Sequence, residues 1–158
     1  MNEPMESAGS VCGTSAFAER IHASFARQGI MLTMGAVLSK VEQGFCEIVL
    51  PFNPGLSQQH GFFHAGVIAT IADSAGGYAG YSLFPAESAI LTVEFKINLL
   101  APADGESVRA TGKVLKHGRT LTICELQAFV TKRGMEKLCA HGLSTLMCMP
   151  GRADLPPG

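Results

Sequence analysis

His64-Ala65-Gly66-Val67-Ile68-Ala69-Thr70-Ile71-Ala72-Asp73-Ser74-Ala75-Gly76-Gly77-Tyr78-Ala79-Gly80-Tyr81 reads as one long helix, apolar or small on nearly every face, running from His64 to about Phe84-Pro85. A helix that is apolar all round is buried. One carboxylate, Asp73, stands in its middle. A buried carboxylate costs several kcal/mol unless it is paired or used. No basic residue within the helix pairs it, so Asp73 is the first candidate for function. The Ala and Gly content implies that the helix backbone closely approaches a concave sheet.

The flanking sequence supplies that sheet. Residues 14–28 place Phe17, Ala18, Ile21 and Phe25 at helical spacing, and Gly29 stops the pattern. Residues 30–41 and 45–52 read as β-rich runs joined by a hairpin at Glu42-Gln43-Gly44. After the long helix come strand-like runs at about 88–100, 105–117, 119–131 and 136–149. In the first of these, Ala89, Leu91, Val93, Phe95, Ile97 and Leu99 alternate with Thr92, Glu94, Lys96 and Asn98, which puts Thr92 on the polar face. The expectation is an α+β domain over 14–149, with six antiparallel strands curled around one helix. Residues 1–13 read as a disordered tail and 150–158 as a loose one.

Composition narrows the function. The chain has 158 residues, 47% hydrophobic and 16% charged, with a net charge of -1. This fits one globular domain and gives no sign of a nucleic-acid or membrane partner. The helical stretch lacks basic flanks and holds Asp73 at its centre, which argues against a membrane span. Cys12, Cys46, Cys124, Cys139 and Cys148 are odd in number and form no C-x-x-C pair. They read as small apolar residues in a reducing cytoplasm. Cys139 and His141 alternate without a second ligand pair, so no metal is expected.

At the start of the long helix the amides of Ala65 and Gly66 have no intrahelical partner, and the helix dipole adds positive character. That is a site for an oxyanion or a polarised carbonyl oxygen. Ala65 and Asp73 lie roughly 12 Å apart along the helix, too far to act on one carbonyl. If both serve one site, Asp73 must come from a second copy, in a two-fold dimer with the helices side by side.

The run Gln58-x-x-Gly61-x-x-His64-Ala65-Gly66, with Asp73 nine residues after His64, resembles the signature of hotdog-fold acyl-CoA thioesterases of the phenylacetate-degradation (PaaI-like) group. Thr92 to Ala103 and Val114-Leu115-Lys116-His117-Gly118-Arg119-Thr120 resemble the same family. The resemblance implies a six-stranded hotdog fold, a homodimer with a shared active site, and a tetramer of paired dimers. It implies that Asp73 is nucleophile or general base, that the Ala65 amide is the oxyanion donor, and that Gln58 places the thioester or water. His64 would shape the loop and bond Gln58, with Gly61 and Gly66 beside it. Thr92 falls where a water-orienting hydroxyl stands, an alternative to Ser74. His117, Gly118 and Arg119 fall where coenzyme A runs; coenzyme A is part of the substrate, and no separate cofactor is implied. Ala65 and Gly77 depart from the family pattern, which has glycine at the first position and in some relatives a hydroxyl at the second. Phe62, Phe63, Tyr78 and Tyr81 are candidates to line an acyl pocket. The alternatives are a non-catalytic acyl-CoA-binding protein and a hotdog hydratase or dehydratase.

Overall fold

The computed structural model describes residues 15–155; the expected N-terminal tail, 1–13, and residues 156–158 lie outside that range. The elements are α1 (Ala16–Arg27), α2 (Gly29–Met34), β1 (Val37–Glu42), β2 (Phe45–Pro51), α3 (Ala65–Tyr81), β3 (Ser88–Leu99), β4 (Ser107–His117), β5 (Leu121–Lys132) and β6 (Met135–Pro150). Six strands form one antiparallel sheet in the order β1-β2-β4-β5-β6-β3. The sheet wraps α3, as expected of a hotdog fold. Among the described residues no helix is long and apolar enough to cross a membrane.

Close backbone contact seats α3. Gly112 of β4 faces it, and a Cβ on Gly112 would lie 2.3 Å from the Ala75 carbonyl oxygen. A Cβ on Gly76 would lie 2.4 Å from Leu126. Only hydrogen fits on either side, so helix and sheet meet with almost no side chain between them. Ile71, Ala72, Ala75 and Ala79 are fully buried there, against Ile48, Leu50, Val108, Ala110 and Leu126. The C-terminal end of α3 is held from α1. Arg20 donates to the carbonyls of Tyr81 (2.9 Å), Phe84 (3.0 Å) and Pro85 (2.6 Å), and its guanidinium lies over the Tyr81 ring. A cation beside the end of the helix offsets the negative end of its dipole.

Two sequence expectations change. Residues 29–34 are a short helix, not a strand. Met31 and Met34, three apart, are buried, whereas Ile30 and Leu32 are exposed. That is helical spacing in a run whose apolar content alone suits either state. The second change concerns β3. Thr92 pairs with Leu146 but Glu94 pairs with Thr145, so Val93 is an extra residue in a bulge. The bulge reverses the phase of the strand. Before it, Ile90 and Thr92 share the inner face with Cys148 and Leu146; after it, Phe95, Ile97 and Leu99 do. Thr92 therefore points toward α3, not to the polar face.

Gly112→Val should drive backbone from backbone and cost about 3 kcal/mol or more in urea unfolding. Gly77→Ala, on the same helix but with nothing within 4 Å of the new Cβ, should stabilise by about 0.4–1 kcal/mol. Equal costs for the two would refute the close-approach account.

Candidate active site

The loop before α3 is a tight hairpin. Ser57 bridges to Phe63, the Gln58 amide donates to the Phe62 carbonyl (2.8 Å), and the Gly61 amide donates to the Gln58 carbonyl (2.9 Å). Gly61 sits at φ 80°, a conformation that glycine adopts freely. Phe63 packs edge-on against Phe52, and its amide donates to the Ala103 carbonyl. The chain is thus delivered to His64 in a fixed direction.

His64 is the N-cap of α3, and its Nδ1 accepts from the Gly66 amide at 3.0 Å. A Cβ on Gly66 would crowd that nitrogen at 3.1 Å, so glycine there keeps the cap in place. This corrects the expectation of two open amides: the Gly66 amide is used by the cap. The Ala65 amide has no protein acceptor among the described residues. It lies at the first helical position, aimed along the dipole. His64 does not bond Gln58; the Gln58 Oε1 instead accepts from the His60 amide. Gln58 and Ala65 line one cavity of about 480 Å³ with Phe62, Phe63, Ile68 and Leu99.

Asp73 lines a different cavity, of about 170 Å³. Thr92 donates its hydroxyl proton to Asp73 Oδ1 at 2.9 Å. Burial pushes the Asp73 carboxyl above its ordinary value, and the Thr92 bond pulls partly against that rise. A carboxylate made more basic and held by one hydroxyl is equipped to accept a proton or to attack. Ser74 lines the same cavity but does not bond Asp73; it donates to Gln28 Oε1 at 3.3 Å. Tyr78 borders this cavity, but Tyr81 is buried against Arg20.

The structure therefore brings Gln58, Gly61, His64, Ala65 and Gly66 together at one end of α3, and Asp73 with Thr92 at another place on it. His117, Gly118 and Arg119 join neither group. His117 packs on Phe84 beyond the far end of α3 and meets Thr122 Oγ1 at 3.0 Å. Ser24, Gln28 and Asp154, which also wall the Asp73 cavity, were missed by sequence reasoning. They come from α1 and the C-terminal segment, and no local pattern links them to Asp73.

Residues 60–137 match the thioesterase superfamily. A solved thioesterase family protein from Silicibacter pomeroyi is 44% identical, with a TM-score of 0.84 over 85% of this chain and 99% of that one. The chain belongs to the thioesterase superfamily. As a member it is a hydrolase. The Escherichia coli PaaI protein of the phenylacetic acid degradation operon shares the fold, with a TM-score of 0.76 at 18% identity over 86% of this chain and 95% of that one. A 1,4-dihydroxy-2-naphthoyl-CoA hydrolase from Listeria monocytogenes is 23% identical over 111 residues, covering 70% of this chain and 89% of the relative.

Two outcomes follow for this thioesterase-superfamily member. Thr92→Val removes the bond that lowers the Asp73 pKa, so the carboxyl should titrate at higher pH, read by carboxyl NMR. The folded Asp73 pKa lies above its unfolded value, so stability from this group is fully present below the unfolded pKa and lost as pH rises through the folded one. Asp73→Asn should therefore raise Tm at neutral pH and lose that advantage in acid. A Tm gain independent of pH would contradict the burial account.

Proposed function

We propose that the protein hydrolyses the thioester of a small or medium acyl- or aryl-CoA at a site shared by two copies of the chain. The observation that carries this is the separation of the two half-sites along one helix. The open Ala65 amide and the basic Asp73 carboxylate line different cavities, roughly 12 Å apart along α3.

The sheet edges support the pairing. β1 carries Lys40 and Glu42, linked at 3.0 Å, charges that discourage edge pairing. β3 is the other edge and exposes Leu91, Val93, Phe95 and Leu99, each about half accessible. Joining two β3 edges around a two-fold axis would cover them and set Asp73 of each copy beside Ala65 of the other. Leu121 and Leu143 remain exposed away from α3, which supports pairing of such dimers into a tetramer. The His117-Gly118-Arg119 turn lies at the opposite end of α3 from Ala65, so any coenzyme A contact it makes at that site would come from the second copy. Among the described residues, Cys46, Cys124, Cys139 and Cys148 are free and buried, which suits a reducing cytoplasm.

In this reading the thioester oxygen faces the Ala65 N–H while Gln58 flanks the carbonyl. As a base, Asp73 takes a proton from water while the water oxygen bonds to the carbonyl carbon. The C–S bond then breaks, and the thiolate leaves with a proton. As a nucleophile, Asp73 forms an anhydride with the same loss of thiolate, and water opens it. Thr92 fixes the carboxylate in either case. The retained carboxylate favours this reading over a non-catalytic acyl-CoA-binding protein, which has no need of a buried Asp.

Thiol release from a panel of acyl-CoAs tests the activity. Asp73→Asn should lower kcat by about 10²–10⁴. Ala65→Pro is a sharper probe. Proline is well tolerated at the first helical position and deletes only the N–H, and His64 already has the extended backbone that precedes proline. It should lower kcat by about 10²–10³. Mixing the two variants under subunit exchange should restore about a quarter of wild-type activity, because half of the pairs regain one of two sites. No recovery in mixed dimers would exclude a shared site.

A further inference from the structure

The cavity beside Asp73 is small and half open, lined from α3, β3, the end of α1 and the C-terminal segment. Gly77 lies one turn after Asp73 on the same face of α3, and the space where its Cβ would stand is open. The wall is polar. The Ser24 and Tyr78 hydroxyls are 3.3 Å apart, and the Ser74–Gln28 contact has the same length. Each of these hydroxyls has one donor and two acceptor positions and makes a single side-chain bond, so these groups keep capacity for another partner. Burial holds the Tyr78 hydroxyl up to about 12, so it stays a donor. At the far end Asp154 accepts from Arg27 through its carbonyl (2.6 Å) and carboxylate (2.9 Å). Beyond that clasp lies a wider groove of about 380 Å³, which shares Ser24, Gln28, Ile90 and Asp154 with the cavity.

We infer that this cavity receives the acyl group, and that Gly77 and the Arg27–Asp154 clasp set its size limit. The substrate is then a compact acyl-CoA whose acyl group carries a hydroxyl. The inference rests on the proposed hydrolysis at Asp73. Volume sets the size on this chain's side of the shared site: a cavity of about 150 Å³ holds one benzene ring, about six non-hydrogen atoms, and this half-open one offers about 170 Å³. Polarity sets the class, because a site built of hydroxyl and amide groups discriminates against an analogue that leaves them unpaired.

The test is kcat/KM for thiol release from butanoyl-, hydroxybutanoyl-, hexanoyl- and dodecanoyl-CoA by the full chain. Wild type should favour hydroxybutanoyl over butanoyl and reject dodecanoyl. Gly77→Leu fills open space and should lower the hexanoyl-to-butanoyl ratio by about tenfold or more. Arg27→Met should raise the dodecanoyl-to-hexanoyl ratio, and Gln28→Leu should erase the hydroxyl preference. Unchanged ratios in these variants, each shown to be folded by its melting curve, would overturn the assignment. If wild type releases no thiol from any of the four or from benzoyl-CoA, the proposed function fails. Calorimetric binding of the same compounds then decides the cavity: a length preference that Gly77→Leu shifts supports it, and an unshifted preference or no binding overturns it.

Discussion

The contact of bare backbone between α3 and β4, at Ala75, Gly76 and Gly112, sets the rest of this molecule. With almost no side chain between helix and sheet, the sheet must curl, and the helix must be apolar on most of its surface. Burial of the helix follows from that closeness, and Asp73 is carried into poor solvent with it. The raised carboxyl pKa is thus a property of the fold before it is a property of a site. The energy lost in desolvating one carboxylate is spread over a large apolar core, which small residues make dense.

For the proposed shared site, the same helix explains why one chain would hold two half-sites. A rigid helix fixes the distance between its own residues, and no loop movement can bring Ala65 to Asp73. His64 caps the helix with its own ring, which uses the Gly66 amide and leaves the Ala65 amide as the open donor. Donor and carboxylate are both set by secondary structure, so each half is organised before any second copy arrives.

Much of this was legible in the sequence. The long apolar helix, the succession of strands before and after it and the isolated Asp73 are strong signals, because periodicity and composition agree over many residues. What failed were places where a single residue reverses a pattern. Val93 adds one residue to β3, and period-two counting cannot register a bulge, so counting alone puts Thr92 on the polar face. Residues 29–34 are too short for the spacing of Met31 and Met34 to outvote their apolar content. Ser24, Gln28 and Asp154 meet Asp73 only through tertiary packing of both chain ends.

The anchoring of α1 has a consequence for partial unfolding. Its polar ties reach distant chain: Arg20 grips the end of α3 some 61 to 65 residues later, and Arg27 reaches Asp154, 127 residues away. Such ties need the intervening chain in place before they close, so α1 is expected to dock late and to be among the first units to come free. Releasing it strips Ser24 and Gln28 from the wall beside Asp73 while the sheet and α3 stay intact. Amide exchange in α1 would then outpace that in β4 and β5, and the size of the cavity would breathe with the docking of the first helix.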